Sequence, residues 1–385
     1  EMCIRDRYKF ELRKINSRKI VWITGCVMLV GLLIWGVASA VLPQSREYSD
    51  SSLNGYEANR AEREAAELIS GRAIDQTLID EMRPAYENFI FNGNYREALP
   101  YLDVYNLIGR TLGTQASAEI LECDSEAFYE RLNAQLEANT PAGLSESISF
   151  DEPIVYHGYF DGWQQITDMM KFIACMEIMF IAICLSPVFT VEHTRKTDQV
   201  ILCTRLGKKK LYAAKILAGL TVGIGFTLLL SLLMFGIVAF LYGFDGYNTI
   251  FQFVLLRPFD LTIGQAALIL VALSFAGAAL VSLFTMMFSE LTKNSVATIG
   301  TITGVMLVTM FIMEMPANLK LLSEIWYLLP SNLVSLNGAF RYSALSVGGS
   351  TLAAYQYAPF VYAVLAVVFA LIGKLTYNRY QISGR

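Results

Sequence analysis

Six long apolar stretches constrain the fold of this chain more than any other feature. They are residues 20–42, 169–189, 212–242, 261–288, 296–315 and 359–375. A helix needs roughly 20 mostly apolar residues to cross a hydrocarbon core of about 30 Å. Composition agrees, because 54% of the residues are hydrophobic and only 17% are charged, against about 25% charged in soluble domains. We therefore predict an all-α integral membrane protein with six transmembrane helices.

Basic residues predict how these helices are oriented. Seven lysines and arginines precede the first stretch, and residues 192–215 carry seven more against two acids. Short loops rich in Lys and Arg remain on the cytoplasmic side of a membrane. An even number of spans then places both termini in the cytoplasm. We expect a multi-pass protein of the cell membrane, which in a bacterium is the plasma membrane.

The start of the chain resembles a signal peptide in its basic residues and in the Ala-Ser-Ala near the end of its apolar stretch. That stretch has 23 residues, more than the roughly 7–15 of a signal core, so we predict a retained anchor. Before it, Tyr8, Leu12 and Ile15 lie at helical spacing among basic residues, which predicts an interfacial helix over 8–19. Residues 1–7 begin with Glu1, which is not an initiator, and are interpreted as a fragment boundary or a cloning scar.

A polar segment, 43–168, separates the first two spans. It contains 23 acidic residues and eight arginines but no lysine. Long loops cross membranes largely regardless of charge, so we predict a helical extracellular domain. Apolar residues at three- and four-residue spacing predict helices over 56–70, 75–91, 95–112 and 116–139. We expect a buried free thiol at Cys123. At the outer membrane interface we expect a group of aromatic residues, Tyr156, Tyr159, Phe160 and Trp163.

Catalytic motifs are absent from the sequence. It has no HExxH, CxxC or GxSxG pattern, and neither Gly-Lys pair has the rest of a GxxxxGK[ST] phosphate loop. The two histidines, His157 and His193, fall on opposite sides of the membrane in the predicted topology. We therefore predict a protein that is not an enzyme, with no catalytic residue, metal, cofactor or nucleic-acid partner. Energy for any work would come from another chain.

The layout of one span, a large outer domain and five further spans resembles the permease subunits of ABC transporters of the ABC-2 export type. That family has a Glu after span two, Gly-Thr, a Leu-Leu run, a Pro, basic residues and a Lys entering span three. This sequence matches the pattern at Glu192, Thr197, Ile201-Leu202, Lys208-Lys209 and Lys215. It departs from the pattern where Lys196 replaces the glycine and Arg205 replaces the proline.

The resemblance implies two permease halves, identical or different, each bound to a cytoplasmic ABC ATPase subunit. It also implies that the segment between spans two and three docks in a cleft of the ATPase and couples ATP hydrolysis to transport. The residues expected to do so are Glu192, Arg195, Thr197, Leu202, Arg205 and Lys208. For the three lysines 208–210 an alternative is that they only enforce topology and touch lipid phosphates.

Inside the second span, Glu177 is a carboxyl group at a costly depth, where such groups usually face protein or water. We expect it to line a translocation path, with hydrogen bonding to a neighbouring helix as the alternative. Gly219, Gly223 and Gly225, together with the GxxxG of Gly300 and Gly304, are expected to pack against helices of the same chain.

The predicted layout assigns a role to every part of the chain. Its parts are a cytoplasmic N-terminus (1–19), the first span (20–42), the acidic outer domain (43–168), the second span (169–189), the cytoplasmic coupling segment (190–215), spans three to five (212–315), an outer loop with a re-entrant or surface helix (316–358), the last span (359–375) and a cytoplasmic C-terminus (376–385).

Other functions compete with the exporter permease. A receptor or signalling subunit would use the acidic domain as a sensor and the basic loop to recruit an effector, but it would usually carry a soluble signalling domain. An intramembrane enzyme lacks its catalytic residues here. A secondary transporter should show matching halves with broken helices, and the 1 + 5 arrangement of spans shows no repeat. The substrate does not follow from the sequence.

Overall fold

The computed structural model describes residues 4–42, 54–141, 148–194, 207–312, 315, 319–343 and 351–379. These ranges are almost entirely helical and contain only isolated bridges in place of β-strands. In chain order the α-helices are α1 (Ile4–Asn16), α2 (Lys19–Val41), α3 (Gly55–Glu67), α4 (Gln76–Asn92), α5 (Tyr95–Ala98), α6 (Leu102–Leu112), α7 (Ser117–Glu122), α8 (Ser125–Ala138), α9 (Asp161–Leu185), α10 (Pro187–Thr194), α11 (Gly207–Leu241), α12 (Ile263–Thr292), α13 (Ser295–Phe311), α14 (Lys320–Tyr327), α15 (Pro330–Leu333), α16 (Leu336–Ala339) and α17 (Ala354–Arg379).

Five helical segments in the described ranges are long and apolar enough to cross a membrane. They are Lys19–Val41, Asp161–Glu192, Lys210–Leu241, Ile263–Thr292 and Ala354–Asn378. The remaining predicted stretch forms α13, an apolar helix of 17 residues. At 1.5 Å per residue it is about 26 Å long, shorter than a typical hydrocarbon core. The all-helical prediction is thus confirmed for the described residues, with five helices long and apolar enough to cross a membrane and one shorter apolar helix.

Helix α12 lies at the centre of the bundle, in contact with α9, α11, α13 and α17. Helix α11 approaches α12 closely because small residues of α11 face α12. A Cβ atom at Gly223 would collide with the Ser282 hydroxyl, and one at Gly219 would collide with the Met286 side chain. By contrast, a Cβ at Gly225, Gly300 or Gly304 would meet no atom of the described residues within 4 Å. The prediction that all five glycines pack within the chain is therefore wrong for these three.

The polar segment folds into helices α3 to α8 around a core that includes Leu78, Ile79, Met82, Phe128 and Leu132. Two of its helices begin at aspartate caps and two end at glycines with positive φ: Asp75, Asp124, Gly93 and Gly113. Where the sequence predicts one helix over 116–139, there are two. They divide because the Asp124 carboxylate accepts a hydrogen bond from the Ala127 amide and starts α8 as a new helix.

The aromatic residues after this domain, which the sequence predicts at the outer membrane interface, are buried in protein. Tyr156, Tyr159, Phe160 and Trp163 are each at most 8% exposed. They form the junction between the helical domain and the spans: Phe160 packs edge-on against Phe253, and the Trp163 indole donates to the Phe244 carbonyl (3.1 Å). Trp163 and Phe160 thus contact residues 244 and 253, which follow α11.

Further polar contacts fasten the helical domain to residues 243–260, the loop between α11 and α12. Arg63 forms an ion pair with Asp245 (2.5 Å), and Asn139 donates to the Leu256 carbonyl (3.1 Å). Arg110 donates to the Phe253 carbonyl, and burial of this guanidinium lowers its pKa. Cys123 is a buried free thiol, as predicted, and burial raises its pKa.

Candidate functional site

The two ends of the basic segment, residues 192–215, lie in two helices. Helix α10 ends at Thr194 and α11 begins at Gly207. Arg195, Thr197, Leu202 and Arg205 lie outside the described residues, and Lys208 is placed only by its backbone, in the first turn of α11. The described geometry of the candidate site therefore comes from the two helix ends, where Glu192 and Lys215 are located.

Lys215 is fully buried and its ammonium group is surrounded by acceptors. It donates to the Glu192 carboxylate (2.6 Å) and to the Val188 carbonyl (2.9 Å). The same ammonium lies 5.0 Å from the centre of the Phe189 ring, a cation–π contact, and 3.9 Å from the Glu11 carboxylate. Each contact compensates part of the large cost of removing this charge from water.

Two further residues of α1 complete the arrangement. Lys14 donates to the Glu192 carboxylate (2.7 Å) and lies 3.7 Å from Glu11. Glu11, which is only 2% exposed, is thus buried between two ammonium groups. We call Glu11, Lys14, Glu192 and Lys215 the base network. With two carboxylates and two ammonium groups it is balanced in charge, and it joins α1, α10 and α11.

Helix α1 packs onto the protein along one face. It begins at Ile4, four residues before the predicted start, and ends at Asn16. Ile15 is buried, and the Tyr8 hydroxyl is hydrogen-bonded to Thr221 on α11 (3.0 Å). The predicted apolar face therefore exists, and much of it contacts α11. Glu11 shares this side of the helix because positions 8, 11 and 15 are three and four residues apart.

The structure thus assigns Glu192 a buried position. Its carboxylate holds the end of α10 against α1 and α11, and only 6% of the residue is exposed. Sequence reasoning identified Glu192 and Lys215 but missed Glu11 and Lys14. The available signal was a carboxylate within the apolar spacing of a helix that is rich in basic residues.

Glu177 lies apart from the base network, on α9 between α11 and α12. The residue is 2% exposed, and Ser274 of α12 donates to its carboxyl group (2.9 Å). The alternative expected from the sequence, a glutamate hydrogen-bonded to a neighbouring helix, describes this contact. The hydrogen bond joins α9 and α12 through one polar group in an apolar interior.

The described residues contain no group of three or more His, Cys, Asp and Glu side chains able to hold a metal ion. Comparison with known proteins gives one family match. The sequence profile described as "ABC-2 family transporter protein" matches residues 76–373. Searches of the curated proteins and of the solved structures found no match. The matched range contains most of the helical domain, the basic segment and, apart from the last residues of α17, every helix of spanning length after the first.

Proposed function

This chain belongs to the ABC-2 family of transporter proteins, and from that premise we propose that it is the membrane permease of an ATP-driven exporter. Members of this family are membrane components of transporters that pair with an ABC ATPase on a separate chain. The proposal adds the direction of transport and the place where ATP hydrolysis is coupled to it. In this proposal the ATPase binds the basic segment.

The base network is the observation that carries the proposal. A segment that transmits force from a soluble partner must be attached rigidly to the helices that it moves. Residues 195–206 are flanked by Glu192 and Lys215, whose side chains are buried and paired directly with each other. A push on the segment would therefore reach α9, α10 and α11 together, and α1 through Lys14 and Glu11.

The proposed topology has six spans, with both termini and the basic segment in the cytoplasm and the helical domain outside. Charge supports this arrangement, since the basic residues before α2 and between α10 and α11 fall on one side. Helix α13 would cross as a short span, which bilayers accommodate by local thinning at modest cost.

A second permease half is part of the proposal. Gly300 and Gly304 on α13 form a GxxxG whose added Cβ atoms would meet nothing within 4 Å in the part of the chain that the structure describes. In membranes such small-residue faces allow two helices to approach closely. We therefore assign this face of α13 to the contact between the two halves, whether the second is a copy or a different chain.

Co-purification with the ATPase tests the proposal. The chain is solubilised from its host in mild detergent and recovered with its partners, beside a variant carrying Leu202→Asp, Arg205→Glu and Lys208→Glu. The matched control is Lys9→Glu with Arg13→Glu, which reverses two exposed charges on α1 outside the base network. We expect an ABC ATPase with wild type and control, and at least a tenfold loss with the triple variant.

Two outcomes would count against the proposal. Loss of the ATPase with the control as well would show that general positive charge, and no defined docking segment, holds the partner. Recovery of a different cytoplasmic effector with no ATPase would favour the receptor alternative, in which the helical domain is a sensor.

A further inference from the structure

Glu177 carries a carboxyl group at the centre of a long apolar segment. It lies midway along Asp161–Glu192, more than about 20 Å along the helix from either end. Ile173 and Ile181, on the turns before and after it, have no exposed surface. The carboxyl group therefore lies in apolar surroundings, far from both ends of the segment.

This carboxyl group has a hydrogen bond but no counter-ion. Only 2% of Glu177 is exposed, and the Ser274 hydroxyl of α12, which is itself buried, donates to its Oε2 atom (2.9 Å). None of the ion pairs among the described residues includes Glu177. The contact with α12 therefore satisfies hydrogen bonding, but it would leave a negative charge on this group uncompensated.

The helices packed against α9 bring no charged group to Glu177. Its level is marked by Ser274 on α12, by Phe226 on α11, which stacks on Phe180, and by Gly31 on α2, next to Met176. Helices α13 and α15 contain no ionisable residue. Those of the other four helices are Lys19 and Cys26 on α2, Glu192 and His193 on α10, Lys208–Lys210, Tyr212 and Lys215 on α11, and Glu290 on α12. Cys26 is exposed, and each of the others is at least eleven residues, about 16 Å, along its helix from that level. On α9 itself the nearest charged residue is Lys171, six positions away and on a different face of the helix.

The buried carboxylates of the base network provide a contrast. Glu192 has two ammonium groups within hydrogen-bond distance, those of Lys14 (2.7 Å) and Lys215 (2.6 Å). Such pairing compensates a buried carboxylate for the water that it loses. Without it, an ionised group in apolar surroundings is so unfavourable that the carboxylate takes up a proton. Glu177 meets the conditions for a neutral carboxylic acid, which can still accept the hydrogen bond from Ser274.

We propose that Glu177 is a proton-binding site of the membrane bundle. While α9 is packed against α12, the carboxyl group holds a proton. When the two helices separate and water reaches the group, its O–H bond breaks, the electron pair stays on the carboxylate and the proton passes to water. Closing the contact takes up one proton again, so low pH favours the packed arrangement. The site is independent of the proposed coupling to an ATPase, because it shares no residue with the base network or the basic segment.

Infrared difference spectroscopy of the full chain tests whether Glu177 holds a proton. A carboxylic acid and a carboxylate absorb in separate regions of the infrared spectrum, so subtracting the spectrum of Glu177→Gln from that of wild type isolates one group. At about pH 7, where an exposed glutamate is ionised, we expect the variant to lose a carboxylic acid band. Glu64→Gln is the matched control, because the Glu64 side chain is 63% exposed, and it should lose only carboxylate absorption.

The pH dependence of unfolding tests whether the proton is released when water reaches Glu177. An unfolded glutamate is ionised above about pH 5, so wild type should release a proton on unfolding that Glu177→Gln does not hold. Between about pH 5 and about pH 7, the unfolding equilibrium constant of wild type should rise relative to that of the variant by up to tenfold for each pH unit. Glutamine has nearly the shape of the neutral acid, so the variant should fold.

Three results would overturn the proposal. Glu177→Gln could lose a carboxylate band in place of a carboxylic acid band, or its unfolding could depend on pH in the same way as that of wild type. Sodium chloride, but not choline chloride, could remove the carboxylic acid band of wild type at constant pH, and Glu177 would then be a ligand of a metal ion. Failure of the chain to recover an ATPase would leave all three measurements unaffected, because they concern a different set of residues.

Discussion

At the scale of single residues, the protein places four charges where an apolar interior would be simpler. Lys215 has no exposed surface, and Glu11 and Glu192 have almost none. Replacing such a network with apolar side chains is often neutral for stability, whereas removing one partner is not. We therefore expect the base network to fix how α1, α10 and α11 pack against one another.

Lys215→Met tests this directly. The change leaves Glu11 and Glu192 buried with one ammonium group between them, so we expect a loss of about 3–5 kcal/mol in the free energy of unfolding. Stability would be measured by denaturant unfolding in detergent. Lys14→Met is the control, because its side chain is 28% exposed and water can replace its contact. Equal losses for the two variants would contradict a special role for Lys215.

The sequence predicts part of this site and misses part of it, for a physical reason. Glu192 and Lys215 are recognised because they flank one loop and match a family pattern. Glu11 is separated from Lys215 by about two hundred residues. Only the packing of α1 against α11 brings the two together, and a single sequence carries no record of that contact.

At the scale of helices, hydrophobic spacing predicts where helices occur better than where they end. The helical domain divides at Asp124, because a capping carboxylate outweighs the continuous apolar spacing across it. The positions of glycines in the sequence are an even weaker guide to which helices are in contact. Gly223 and Gly225 are two residues apart, yet only Gly223 touches α12, because positions separated by two residues face different sides of a helix.

These two glycines provide a matched pair of substitutions. Gly223→Leu inserts a side chain where α11 and α12 meet at Ser282, so we expect destabilisation of about 1–3 kcal/mol from overpacking. Gly225→Leu adds the same atoms to an open surface of the same helix and should change stability by less than about 0.5 kcal/mol. Thermal unfolding followed by size-exclusion chromatography would measure both. A similar loss at both positions would contradict the assignment of Gly223 alone to the contact with α12, because helix propensity favours leucine over glycine at both.

At the scale of the whole molecule, the chain combines a membrane bundle with an acidic helical domain fastened to one of its loops. The long apolar helices were predictable because apolar runs of that length are rare outside membrane-spanning helices. The attachment of the domain was not, since it depends on contacts such as Arg63 with Asp245 and Asn139 with the Leu256 carbonyl. Both join residues distant in sequence.

Cysteine labelling of intact cells would test the proposed topology. In a background without the native cysteines, Asn92→Cys and Lys320→Cys should react with an impermeant maleimide, whereas Ser17→Cys and Lys293→Cys should react only after lysis. All four positions are exposed. Positions 293 and 320 bracket α13, so labelling of both from the same side would show that this short helix does not cross.

Native mass spectrometry of the dimer tests the proposed contact between permease halves. Gly300→Leu with Gly304→Leu should reduce the dimer fraction at least tenfold in native mass spectrometry, because leucine side chains keep the helix backbones apart. Gly225→Leu, another uncovered glycine on a spanning helix, should leave that fraction unchanged. A dimer that survives the double change would place the second half against another face.

Helix α11 gives this architecture a mechanical property. It runs for 35 residues without a proline, about 52 Å at 1.5 Å per residue, which is well beyond the thickness of a hydrocarbon core. Lys215 is near one end, and Asp245, which holds Arg63 of the helical domain, follows the other. A stiff rod fixed at both ends carries rotation as well as translation. A spectroscopic probe on the helical domain should therefore register a disturbance of the base network at the other end of α11.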